Sequence, residues 1–111
     1  MASRKRSFAP RPKPRSLTDP AITKETGPTK GRYVLHEGGE EAELTWSVVS
    51  PTKIIADHTG VPAGLRGTGA GRRLVEYLVA DARASGFTVI ALCPFVASMA
   101  RKHPEWADVF V

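Results

Sequence analysis

Val61-Pro62-Ala63-Gly64-Leu65-Arg66-Gly67-Thr68-Gly69-Ala70-Gly71 joins an extended, β-branched run (53–61) to a stretch of helical period (72–84). A glycine-rich turn between a strand and a helix is a place for a phosphate. Glycine takes positive φ and lets backbone approach a ligand closely. The first N–H groups of a helix have no acceptor within it, and the helix dipole favours an anion there. Arg66, Arg72 and Arg73 add positive charge around the turn.

Two common phosphate loops do not match. Gly64 and Gly69 have the spacing of G-x-x-x-x-G-K-[ST], but Ala70-Gly71 stand where lysine and a hydroxyl residue are needed. Gly67-Thr68-Gly69-Ala70-Gly71 is one residue short of the dinucleotide fingerprint, and no strand ending in an acid follows at the required distance. Instead, Arg66 to Gly71 resembles the R/Q-x-x-G-x-G/A signature of the GNAT N-acetyltransferase superfamily, and Val61-Pro62 resembles the residues that usually lead into it. The resemblance implies that Val61, Arg66, Gly67, Thr68, Gly69, Ala70, Gly71 and Arg72 hold the pyrophosphate end of acetyl-CoA. The alternative is a tight strand-to-helix connection with no ligand.

Composition narrows the classes. The chain of 111 residues points to one domain, and 41% apolar residues suffice for a small core. No run approaches the roughly eighteen apolar residues of a membrane span. One cysteine excludes an internal disulfide, and His36, His58 and His103 lack paired ligand spacing, so no metal is expected. A reducing, cytoplasmic setting follows from the cysteine usage. The net charge of +5 is unevenly spread. Residues 1–32 carry nine Lys/Arg against two Asp/Glu, whereas 33–111 carry seven against nine.

Residues 1–28 are rich in Pro, Arg, Lys and Ser, with too few apolar residues to offset the entropy of ordering. They read as a disordered basic tail, either a solvated leader or an electrostatic arm. Nucleic acid is expected to engage it weakly at most, because no aromatic platform accompanies the charge. Residues 29–111 read as the folded domain. Strands are predicted at 32–36, 41–49 and 53–61 as an antiparallel meander. In the second, Ala42, Leu44, Trp46 and Val48 share one face. The helix after the loop buries Leu74, Val75, Leu78, Val79 and Ala82, and Glu76, Asp81 and Arg83 face solvent. A fourth strand (87–92) and a short helix (95–102) follow, and Trp106 and Phe110 are available to cover a sheet edge. The predicted class is α/β (α+β): a three-strand antiparallel meander, Gly-loop plus helix, fourth strand and short C-terminal helix.

This order is that of a minimal GNAT-like fold. The chain is similar to a subfamily of very small GNAT-like proteins through His58-Thr59, Val61-Pro62, the glycine loop, Cys93-Pro94-Phe95-Val96 and Arg101-Lys102-His103-Pro104-Glu105. It departs from relatives in Ala91, where proline is frequent, and in having no tyrosine in the second helix. The resemblance implies transfer of an acetyl group from acetyl-CoA, as co-substrate, to a small-molecule or protein amine. A non-catalytic acyl-CoA-binding module is the alternative. Cys93 is a candidate nucleophile or thiol acid, or a buried small hydrophobe. His58 is a candidate general base, since imidazole titrates near neutrality, or a strand histidine holding a hydrogen bond. The helices and strands that select an acceptor in larger relatives are expected to be missing, and an open sheet edge leaves the chain a monomer or homodimer.

Overall fold

The computed structural model describes residues 15–111. Five strands and two helices follow in the order β1 (Ile22–Thr26), β2 (Lys30–Glu37), β3 (Glu40–Ser50), β4 (Lys53–Gly60), α1 (Ala70–Ser85), β5 (Thr88–Ala91) and α2 (Pro94–Lys102). The strands form one mixed sheet in the order β1-β2-β3-β4-β5, and with the helices they make an α+β fold. The first four strands pair antiparallel, and β5 joins β4 in parallel through the α1 crossover. Among the described residues no helix is long and apolar enough to cross a membrane.

Each element follows from local chemistry. Gly38 and Gly39 form the two-residue turn between the paired Glu37 and Glu40. Helix α1 buries Leu74, Val75, Leu78, Val79 and Ala82 against Tyr33, Leu35, Leu44, Trp46 and Ala56 of the sheet. It ends at Gly86, whose φ of 79° supplies the left-handed cap. Pro94 stands in the first turn of α2. After α2, the Val89 amide donates to the Val109 carbonyl and the Val111 amide donates to the Val89 carbonyl, so Val109 and Phe110 cover the edge of β5.

Four expectations are corrected. The tail was expected to run to residue 28, yet β1 lies within it, and the meander has four antiparallel strands rather than three. Strand β1 lies between Pro20 and Pro28, so neither proline interrupts it, and as an edge strand it needs only one partner. Ile22 anchors it in the core, and Asp19 just before it accepts two bonds from Arg73 of α1, at 2.9 and 2.8 Å. Residues 1–14 of the expected tail lie outside the described residues.

Asp81 was expected in solvent and is buried. It accepts bonds from Lys24 Nζ and the Tyr33 hydroxyl at 2.7 Å each and from Ser85 Oγ at 3.1 Å. This satisfies its charge and ties β1, β2 and α1 together. Val48 was expected in the core and is 39% exposed: it shares the face of its buried partner Ile54 but stands near the end of β3, just before the pairing shifts register towards the turn.

Candidate functional site

A second register shift shapes the site. Thr45 of β3 faces His58 of β4, but Trp46 faces Ala56, so Asp57 is an extra residue, a bulge. The bulge reverses the alternation of β4. Ile54 and Ala56 point to the α1 side, and beyond the bulge Thr59, opposite buried Leu44, takes that side instead of His58. At the same level β4 and β5 separate. Their pairing ends at Ala56 and Ala91, with one further bond from the Cys93 amide to the Ala56 carbonyl at 2.9 Å. Strand β4 continues to Gly60 with its β5-facing edge unpaired.

A cleft of about 500 Å³ opens above this divergence. Val61, Arg66, Gly67, Gly69, Ala70, Gly71 and Arg72 line it, together with Thr59, Leu65, Phe95 and Met99. Gly67 and Gly69 adopt φ of 79° and 84°, which other L-residues reach only with strain. Gly69 is the N-cap of α1 and offers no side-chain cap, and the first turn holds no acid. The first bond of the helix runs from the Arg73 amide to the Gly69 carbonyl at 2.9 Å, so the amides of Ala70, Gly71 and Arg72 have no helical acceptor. Uncapped amides at the positive end of a sixteen-residue helix, beside a cleft, suit an anion.

The other loop residues serve packing. A Cβ on Gly71 would lie 2.9 Å from Phe95 Cζ, so this glycine lets α2 close against the start of α1. A Cβ on Gly64 would collide with the Glu40 carboxylate. Thr68 does not line the cleft; its hydroxyl donates to the Leu65 carbonyl at 2.6 Å and closes the turn. Leu65 is buried and pins the loop to the core.

The cationic supply is narrower than expected. Arg73 turns away from the loop to Asp19 and Glu37. Arg72 is paired with Glu76 one turn on at 3.1 Å. Arg66 is exposed, bonds only the Val61 carbonyl at 3.4 Å and has no acidic partner among the described residues. Two arginines, one shared, therefore accompany the helix amides.

Cys93 is buried, and its Sγ lies 3.4 Å from Thr59 Oγ1. A nearby imidazole such as His58 would be needed to activate that thiol. Because of the bulge, His58 is exposed on the opposite face of β4, opposite Thr45, and the two are not brought together. No basic side chain among the described residues bonds Cys93. His103 stacks on Trp106 at 4.1 Å and pairs with Glu105 at 2.9 Å, away from the cleft. Sequence reasoning missed the Thr59 side chain, Phe95 and Met99 as cleft residues. Phe95 was legible only as part of a motif, and the orientation of Thr59 depends on a bulge that side-chain alternation does not announce. Among the described residues no cluster of His, Cys, Asp or Glu has metal-binding geometry.

Residues 32–109 match the family model described as GCN5-related N-acetyl-transferase. Among solved structures, the chain is similar to a GCN5-like candidate N-acetyltransferase from Staphylococcus aureus, determined by NMR. The two are 32% identical, with a TM-score of 0.61 over 82% of this chain and 89% of the other. No curated protein matches.

Proposed function

The chain belongs to the GCN5-related N-acetyltransferase family, a family of acyltransferases, and from that premise we propose that it moves an acetyl group from acetyl-CoA to an amine. The observation that carries this reading is the uncapped, glycine-built start of α1 at the head of a cleft leading to the divergence of β4 and β5. The amides of Ala70 to Arg72, with Arg66 and Arg72, bind the pyrophosphate. The unpaired edge of β4 accepts the pantetheine amides as an added strand would. Val61, Leu65, Phe95 and Met99 cover its apolar parts.

The thioester then lies beside Thr59 and Cys93. The amine nitrogen attacks the carbonyl carbon, the C–S bond breaks, and the CoA sulfur takes a proton. Residues on the two sides of β4 divide the proton work. His58, exposed on the outer face, takes the proton that the acceptor ammonium must lose before attack. The Cys93 thiol, buried behind the cleft residue Thr59 and hydrogen-bonded to it, gives the proton to the departing thiolate. Direct transfer is favoured over an acetyl-cysteine route, because no basic group stands by to form the Cys93 thiolate.

The test is release of free CoA from acetyl-CoA across a panel of primary amines. His58→Ala is expected to lower turnover at least tenfold with acetyl-CoA affinity unchanged. The second reading, a binding module without turnover, draws on the missing tyrosine in α2. Micromolar binding with no CoA release on any amine would favour it.

A further inference from the structure

The sheet face opposite α1 carries a second groove, of about 800 Å³, at the level where β4 bulges. Its lining includes Glu25, Lys30, Arg32, Thr45, Ser47 and Asp57. We propose that this groove receives the acetyl acceptor, that the acceptor is a primary alkylammonium, and that Asp57 is the group that holds its charge. The proposal deepens the acetyl-transfer reading and rests on it for the identity of the reaction.

Position is the first support. The bulge puts Asp57 at the one level of β4 where its pairing with β5 stops. Asp57 of the groove and Thr59 of the cleft stand two residues apart on opposite faces of β4, so the two hollows back onto the same stretch of one strand. A nucleophile held at Asp57 therefore stands behind the strand against which the thioester is read to lie. His58, the next residue, is on the same outer side, with its ring over Gly60 and Nε2 3.4 Å from where a Cβ would be.

Charge is the second. Arg32 is fully engaged: it bonds Glu25 and Glu43 at 2.8 Å each, so one cation serves two carboxylates. Asp57 has no cationic partner among the described residues. Ser47 donates a 2.5 Å hydrogen bond to its Oδ2, and this fixes the carboxylate while Oδ1 accepts no bond among the described residues. A half-buried carboxylate, oriented by a hydroxyl and left without a counter-ion, favours a cation with N–H donors. An anionic acceptor would meet the Glu25 and Asp57 carboxylates against Lys30 and an Arg32 already shared between Glu25 and Glu43, and a neutral one would leave Asp57 uncompensated.

The test uses the full chain, isotopically labelled, with and without saturating CoA, titrated with n-butylammonium and with n-butanol while backbone amides are followed by NMR. The expected result is saturable shifts at Thr45, Ser47, Asp57 and His58 with the amine and not the alcohol. Asp57→Asn, which keeps an oxygen for Ser47, should weaken the amine at least tenfold and leave the affinity for CoA unchanged. Equal responses to amine and alcohol, shifts confined to other surfaces, or an unaltered amine titration in Asp57→Asn would overturn the proposal. Failure of CoA to bind would instead contradict the acetyl-transfer reading, and the amine titration without CoA would still report on the groove.

Discussion

At Gly69 a φ of 84° and the start of α1 coincide, and no atom lies within 4 Å of where a side chain would begin. Backbone strain and ligand binding can therefore be separated there. Gly69→Asp is expected to cost about 1–2 kcal/mol of stability from the left-handed backbone. It should weaken acetyl-CoA by more than tenfold, because a carboxylate then occupies the anion cradle; isothermal calorimetry beside denaturant unfolding checks both. Tyr33 offers the opposite case, a residue for the fold alone. Its buried hydroxyl donates to Asp81. Burial first, then the Asp81 carboxylate, pushes its phenol far above the ordinary tyrosine range. A raised folded-state pKa means that this stabilisation is complete below about pH 10 and is lost as pH rises beyond it. Tyr33→Phe should lower stability by about 1–2 kcal/mol at neutral pH, leave acetyl-CoA binding unchanged and flatten the alkaline loss seen in urea titrations. The loop glycines and Arg66 were legible because their residue types are dictated by backbone geometry and charge. The faces of His58 and Thr59 were not, since one inserted residue, Asp57, exchanges them and leaves no mark on composition.

Among the elements, α1 was the most legible, because its apolar stripe has the helical period and Gly86 stops it. Its one misread position, Asp81, is a charge on the buried side whose partners, Lys24 and Tyr33, lie 57 and 48 residues away in sequence. Strand β1 was the least legible. Only Ile22 of its five residues is buried, so no alternation separates it from the basic, proline-rich sequence before it. Its attachment is electrostatic as well as apolar. The Arg73 guanidinium beside Asp19 holds that carboxyl below its usual range, against the opposing effect of burial. A depressed folded-state pKa stabilises above about pH 4 and is lost as pH falls through the folded value. Asp19→Asn is expected to cost about 1 kcal/mol near neutrality, discounted for the partial exposure of both partners, and to reduce the acid sensitivity of unfolding followed by circular dichroism.

On the scale of the whole molecule, a four-strand antiparallel sheet carries one parallel strand, and the site lies where that addition parts from its neighbour. The fold class and the order of elements from β2 onward were readable because each bears its own period or turn signal. The start of the domain was not, because charge and proline continue across it. Deletion of 1–28 removes Ile22 and Asp19 and bares the edge of β2, and it should lower the melting temperature by many degrees or cause aggregation. The central claim, that the start of α1 and the adjoining cleft bind acetyl-CoA, is tested most directly by calorimetric titration of acetyl-CoA into the full chain and into its Arg66→Ala, Gly69→Asp double variant. Micromolar, one-to-one binding by the parent chain that the folded double variant loses is the predicted result. No binding by the parent chain at millimolar acetyl-CoA, or equal binding by both proteins, would contradict it.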